Sequence, residues 1–269
     1  MTTPLLRPPR RIILINGVYG APEHFGSLRA CLAADAVTDV FEFRRDGVPD
    51  PRAHSGFTPM VDRLSETVGG PSGLPRGERP VLLGFSLGGA LALEYALTYR
   101  DRLSAMVLIN AFARFEGSFL QIGTIPALHL WPNQWSNPRL MARAVHRLPW
   151  MRRGLFHEDA SVDEIESGMR AATGSMSQDD VRFQLAHLLL PEPEDLAPRL
   201  ATLAEEMPIL LVSSRDDMVV PPRHTDRLAV LMPGAERLPP FEGGHAFFQH
   251  DARLLAASLT EFLDRVCGG

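Results

Sequence analysis

The sequence predicts an α/β protein: a mostly parallel sheet flanked by helices and interrupted by one helical insertion. Three observations lead there. From Arg11 to Ile109, short apolar runs alternate with helical periodicities, the signature of βαβ units. Near Ala113 that alternation stops; helical, proline-rich sequence without a convincing β run continues to about Glu205, and the alternation resumes at Met207. Finally, Gly84-Phe85-Ser86-Leu87-Gly88 lies between an apolar run and an apolar helical stretch. That places a serine on the turn from a buried strand into a helix.

The elements follow in order. The first ten residues hold three prolines and read as an arm. Arg11 to Asn16 reads as a buried strand, Pro22 to Ala34 as a helix, and Thr38 to Arg44 as a strand with apolar–polar alternation. Asp46 to Gly56 is loop-like, and Thr58 to Val68 is helical. Gly69 to Arg79 is a Gly/Pro-rich surface connection. Pro80 to Phe85 is the next strand, Gly88 to Tyr99 a helix, and Ser104 to Ile109 another buried strand. After the insertion come a strand at Met207 to Ser213, a helix around Pro222 to Leu231, a short strand near Ala235 to Leu238 and a helix from Phe247 to Val266. The expected division is a core at 1–112 and 206–269 with a helical cap at 113–205. The chain carries no internal repeat and no low-complexity tract.

Composition narrows the chemistry. With 269 residues, 45% of them hydrophobic, the chain can bury one large core with an inserted subdomain. A net charge of −5 is too mild to point to nucleic acid or an anionic membrane as partner. All 27 basic residues are arginine. Schiff-base lysine chemistry, a P-loop lysine and Ser–Lys hydrolysis are therefore excluded. The two cysteines, Cys31 and Cys267, have neither metal nor disulfide-framework spacing, so a reducing cytosol is expected. Gly117 to Asn137 carries no charge, but Gly123, Pro126 and Pro132 interrupt it; it reads as buried or pocket-lining surface and not as a membrane span.

The glycines around Ser86 have a physical reason. The strand-to-helix turn is sharp, and a Cβ two residues to either side would collide with neighbouring backbone. The turn exposes Oγ beside the positive end of a helix, where negative charge develops cheaply. A serine hydroxyl still needs a base. Among nine histidines, His245 follows Gly243-Gly244 in the loop between the last strand and the last helix, where sites form in open α/β sheets. The base needs a carboxylate to fix its tautomer. The strand from Met207 runs into Asp216-Asp217, and on residue pattern alone either serves; Glu116 is a more remote candidate.

These stretches resemble the α/β-hydrolase superfamily, in particular small serine esterases of the biotin-pathway carboxylesterase type. The resemblance rests on Gly84-Phe85-Ser86-Leu87-Gly88-Gly89-Ala90, Asp217-Met218-Val219-Val220-Pro221 and Gly243-Gly244-His245-Ala246. It implies an α/β-hydrolase fold with a cap, Ser86 as nucleophile, His245 as base and Asp217 as acid, because the family's acid begins an Asp-x-Val-x-Pro stretch. It also implies an oxyanion hole made by the backbone N–H groups of Leu87 and Val18. The family's His-Gly pair before the second donor is Asn16-Gly17 here, and its Gly-x-Gly-x-Ser is replaced by Arg45-Asp46-Gly47. Asn16 can brace the loop through its amide.

The expected activity is hydrolysis of a small, largely apolar carboxylic ester or thioester, without cofactor or metal. Tyr19 and, in the insertion, Phe119, Leu128 and Trp131 are the candidate substrate contacts. Acyl transfer, perhydrolysis or C–C cleavage could run on the same triad, and a non-catalytic ligand-binding member is the third reading.

Overall fold

Successive side chains of a strand face opposite sides of its sheet, so a strand covered on both faces is apolar throughout. The structure is a computed structural model, and it describes residues 10–45, 56–69, 78–116, 137–174 and 176–267. Its strands are β1 (Arg10–Ile15), β2 (Ala36–Phe41), β3 (Val81–Phe85), β4 (Ala105–Ile109), β5 (Ile209–Val212) and β6 (Glu236–Arg237). They form one sheet in the order β2-β1-β3-β4-β5-β6, with every pair parallel. The three central strands β3, β4 and β5 are buried at every residue.

The helices are α1 (Gly26–Leu32), α2 (Thr58–Gly69), α3 (Leu87–Tyr99), α4 (Pro138–Arg147), α5 (Pro149–Leu155), α6 (Val162–Gly174), α7 (Gln178–Leu188), α8 (Leu196–Glu206), α9 (Arg223–Leu231) and α10 (Ala252–Val266). The alternation within each strand divides the core into two layers. Ile13, Ile15, Leu82, Met106, Leu108, Ile209 and Leu211 meet the apolar stripes of α2, α3, α8 and α9. Ile12, Leu14, Leu83, Val107, Leu210 and Val212 meet α1 and α10 on the other side. Burying such a side chain contributes about 1.5–3 kcal/mol, so the two-sided burial dominates the stability of this sheet.

Two predicted helices begin differently from expectation. The segment from Pro22 opens with a 3₁₀ turn, Pro22–Phe25, before α1. The segment from Phe247 opens with a 3₁₀ turn, Phe247–Gln249, and α10 starts at Ala252. In both places the tighter turn seats aromatic rings, Phe25, Phe247 and Phe248, fully inside the core. The predicted strand at Ala235 to Leu238 narrows to Glu236–Arg237, both exposed. Charged residues on a short edge strand discourage pairing with a second chain.

Between β4 and β5 the chain builds α4 to α8. α4 and α6 share a small core of Ala142, Val145, Ala160, Ile165 and Met169. α7 begins with a capping box. Ser177 Oγ accepts from the Asp180 N–H at 3.1 Å, and Asp180 Oδ2 accepts from the Ser177 N–H at 3.0 Å. The second Asp180 oxygen accepts from the Arg45 N–H at 2.9 Å, which ties α7 to the chain beyond β2. Burial works against the Asp180 charge, but these N–H and O–H donors prevail and hold its carboxyl below the ordinary aspartate range. No helix among the described residues is long and apolar enough to cross a membrane.

Candidate active site

The chain starts in the sheet at β1, moves outward to β2, then returns past β1 to β3. The strand order therefore switches direction between β1 and β3, and the crevice at their carboxyl ends is where ligands bind in open α/β sheets. Ser86 stands there, directly after β3. Its backbone has φ 54° and ψ −122°, a strained conformation for a residue with a Cβ. The strain is held from both sides: the Ser86 N–H donates to Ile109 O at 3.0 Å, and the Ser86 carbonyl accepts from the Gly89 N–H at 2.9 Å. A Cβ at Gly84 would lie 2.5 Å from Gly89 Cα, and one at Gly88 only 2.2 Å from Ile15 O. Both glycines flanking Ser86 are thus required by close approach, as the turn argument expects.

His245 and Asp217 come together. His245 Nδ1 lies 2.7 Å from Asp217 Oδ2. The Asp217 side chain is fully buried, and its other oxygen accepts from the N–H groups of Val219 and Val220, both at 2.8 Å. These two donors orient the carboxylate and keep its charge satisfied away from water. The His245 ring lies against Phe85, with centroids 4.6 Å apart, which brings it beside the residue that precedes Ser86. Asp216 faces elsewhere. It pairs with Arg153 at 3.1 Å and accepts from the Gly243 N–H at 3.4 Å. Burial raises its pKa, but the Arg153 guanidinium and the Gly243 N–H outweigh that and leave the carboxyl below its ordinary range. Glu116 pairs with Arg227.

Two braces around this pair were not anticipated. Asn110 follows β4 directly, with φ 45° and 1% exposure. Its Oδ1 accepts from the Ser214 N–H at 2.8 Å and its Nδ2 donates to His245 O at 3.0 Å, so one side chain links the acid loop to the histidine loop. The other brace is the last turn of α5. Its carbonyls at Arg153, Gly154 and Leu155 accept from the N–H groups of Gly244, His245 and Ala246 at 2.7, 3.1 and 3.0 Å. Gly154 O also accepts from the Met218 N–H at 3.2 Å. The orphan carbonyls of a helix end need donors, and here the loops carrying His245 and Asp217 supply them.

The loop after β1 lies directly on the serine. A Cβ at Gly17 would be 2.7 Å from Ser86 Cβ and 3.0 Å from Ser86 Oγ. The loop closes as a turn, the Gly20 N–H donating to Gly17 O at 3.1 Å. Asn16 braces it from within, Nδ2 donating to Ala21 O at 2.7 Å. Among the described residues the Val18 N–H meets no acceptor. Leu87 begins α3, where an N–H has no intrahelical acceptor. Tyr19, half-buried, packs with Val18 against Val181 and Leu185 of α7, and burial pushes its phenol pKa up. Phe119, Leu128 and Trp131 lie outside the described residues, as does the whole uncharged run apart from Asn137.

Other histidines are engaged away from Ser86. His24 Nδ1 accepts from the Ala21 N–H at 3.2 Å and Nε2 donates to Gly168 O at 3.1 Å, an arrangement only the neutral ring satisfies. Burial lowers its pKa, more than the Gly168 carbonyl and Glu23 restore it. His224 is buried and stacked on Phe115 at 5.5 Å; burial lowers its pKa too, aided by Arg223. His157 and His250 stack at 4.0 Å beside a cleft of about 220 Å³.

This architecture, an all-parallel sheet with a strained serine at the switch point and a part-buried His–Asp pair after the later strands, defines a class. A family model described as "Alpha/beta hydrolase family" matches residues 12–257, and the chain belongs to that family of hydrolases. Among curated proteins it is 29% identical over 197 residues to "Putative carbamate hydrolase RutD" of Pseudomonas savastanoi pv. phaseolicola, covering 70% of this chain and 68% of that one. The protein of the same name from Caulobacter sp. is 27% identical over 278 residues, covering 94% and 90%. Among solved structures, MenH from S. aureus superposes with a TM-score of 0.73 at 16% identity, covering 97% of this chain and 96% of that one. The esterase EaEST from Exiguobacterium antarcticum gives 0.72 at 17%, covering 95% and 92%. At such identities the structural likeness speaks to the fold.

Proposed function

We propose that this protein is a serine hydrolase that cleaves a carboxylic ester or thioester of a small, largely apolar acyl group. Ser86 is the nucleophile, His245 the base and Asp217 the residue that orients His245. Of the expected cap span 113–205, α4 to α7 form the cap over the site, while α8 packs in the core layer against the sheet. The observation that carries this reading is the 2.7 Å contact of His245 with a buried carboxylate whose other oxygen is already held by two N–H groups. A carboxylate fixed in that way accepts a hydrogen bond from Nδ1–H and leaves Nε2 free to take the proton of Ser86. In the reaction Ser86 Oγ bonds to the carbonyl carbon while its proton passes to His245 Nε2. The carbonyl oxygen becomes an oxyanion facing the N–H groups of Val18 and Leu87. Collapse expels the alcohol or thiol, which takes the proton back from His245. Water then repeats the sequence on the acyl-enzyme and releases the acid.

A second reading is hydrolysis of a carbamate, favoured by the name of the curated relatives. The same steps apply, with a carbamoyl group on Ser86. One experiment addresses both: fluorophosphonate labelling, followed by turnover of p-nitrophenyl esters from acetyl to octanoyl and of small carbamates. Labelling confined to Ser86 and lost in Ser86→Ala, with kcat falling at least about 10⁴-fold, is expected. Near-wild-type turnover by a clean Ser86→Ala protein refutes the assignment. Carbamate turnover above that of every ester selects the second reading.

A further inference from the structure

α7 buries two sides, Val181 and Leu185 against Val18 and Tyr19, and Phe183 in the core layer beside α2 and α3, and between them stands Gln184, which is 0% exposed. A primary amide placed there is unfavourable unless all of its polar atoms are paired. They are paired, and with groups far away in sequence. Gln184 Oε1 accepts from the Tyr19 N–H at 3.0 Å. Its Nε2 donates to Phe43 O at 2.6 Å, with Met176 Sδ also near at 3.1 Å. The orientation of the amide is fixed by chemistry, since the Tyr19 N–H can only donate and the Phe43 carbonyl can only accept.

The first of those bonds falls on the loop that lies against Ser86. In the turn from Gly17 to Gly20, the closing bond uses the Gly20 N–H. The N–H groups of Val18 and Tyr19 remain. Tyr19 sits at φ 59°, a left-handed conformation that a residue with a side chain adopts only when its surroundings impose it. Gln184 supplies that constraint from outside the loop. It engages the Tyr19 N–H and so sets the peptide plane next to the one that carries the Val18 N–H.

We propose that Gln184 is a positioning residue for the oxyanion hole: through Tyr19 it holds the Val18 N–H in register with Ser86, so the stabilising power of the site depends on α7 being docked. The inference rests on the reading of Ser86 as nucleophile and Val18 as oxyanion donor. Its effect belongs to the transition state, because the oxyanion exists only there. Deleting an oxyanion donor lowers kcat by about 10²–10³-fold. Misplacing one by loss of its support lowers kcat by roughly 10–100-fold, with KM changed less than about threefold.

The test compares Gln184→Met, which keeps the length and removes the acceptor, with Gln184→Glu, which keeps an oxygen for the Tyr19 N–H. The readouts are kcat and KM for p-nitrophenyl butyrate and the Ki of a trifluoromethyl ketone whose hemiketal oxyanion occupies the same hole. In Gln184→Met, kcat falls and Ki rises by the same factor while KM holds; Gln184→Glu recovers at least half of that loss on a logarithmic scale. Should Gln184→Met not fold, Gln184→Asn withdraws the amide by one methylene and is read in the same way. A kcat within threefold of wild type, or a loss carried by KM with Ki unchanged relative to KM, overturns the proposal and leaves Gln184 a packing residue. Fluorophosphonate labelling of the wild type separates the two levels. If Ser86 is not labelled, the underlying reading fails; if it is labelled and the variants behave as wild type, only the role of Gln184 fails.

Discussion

Asp217→Asn and Asp216→Asn differ by one position in sequence and should differ by orders of magnitude in activity. In the wild type Asp217 Oδ1 accepts from two N–H groups at 2.8 Å, and Oδ2 faces His245 Nδ1 at 2.7 Å. An asparagine keeps its carbonyl oxygen on the two N–H donors, because its NH₂ cannot accept from them. The NH₂ is then forced toward Nδ1, which must accept. The imidazole proton moves to Nε2, the atom that receives the proton of Ser86 in the proposed mechanism. Loss of the correct tautomer lowers kcat by about 10⁴-fold, or about 5.4 kcal/mol of transition-state stabilisation. Asp216→Asn weakens an ion pair with the half-exposed Arg153, an interaction with Glu242 and a long contact to the Gly243 N–H, none of which reaches His245 Nδ1. Exposed pairs contribute about 0–1 kcal/mol, so activity should change less than about fivefold. The assay is kcat on p-nitrophenyl butyrate, with fold checked by circular dichroism. An Asp217→Asn protein retaining a tenth of wild-type kcat, or a reversed ranking, refutes the reasoning.

Other outcomes follow from the same geometry. Gly17→Ala places a methyl 2.7 Å from Ser86 Cβ and should lower kcat on the order of 10²-fold by displacing the serine or the loop; wild-type kcat would show that the loop is not seated on Ser86. Asn110→Ala leaves the Ser214 N–H and His245 carbonyl without their partner and puts alanine at φ 45°. That should destabilise by roughly 3–5 kcal/mol, a Tm drop of about 6–10 °C in calorimetry; a drop under 2 °C would contradict it. His24 has a folded pKa below its unfolded one, so the unfolded chain binds the extra proton as pH falls. Its contribution is fully present above about pH 6.5 and is lost below that value, and Tm should fall less between pH 7 and 5.5 in His24→Gln than in wild type. An equal fall in both proteins would remove His24 from the account.

The parallel core was legible because burial on both faces leaves little choice of residue type: the runs ending at Ile15, Phe85, Ile109 and Val212 read as strands and are strands. The turn at Ser86 was legible for a related reason, since close approach at Gly84 and Gly88 admits no side chain. Choosing Asp217 over Asp216 needed the Asp-x-Val-x-Pro resemblance. Its physical basis, the pair of N–H groups two and three residues on, becomes visible only once the loop is folded. Asn110 and Gln184 left almost no trace in the sequence. One looks like a polar residue ending a strand and the other like a flaw in an apolar helical face. Each acts on a partner more than 130 residues away, a distance at which local pattern carries no information.

The carbonyls at the end of α5 bear on how substrate preference in this protein can be re-engineered. Four N–H groups from the loops of Asp217 and His245 terminate on Arg153, Gly154 and Leu155. A foreign β4–β5 segment grafted from a relative would have to present the same helix end at the same place, or the loops of Asp217 and His245 would lose their scaffold. Recombination points placed on either side of residues 149–157, leaving that turn in the recipient, allow the helices before and after it to be exchanged as two separate blocks. The backbone amides of Gly244, His245 and Ala246 also become natural hydrogen-exchange probes: their protection reports whether a chimera has kept the junction before any substrate is tried.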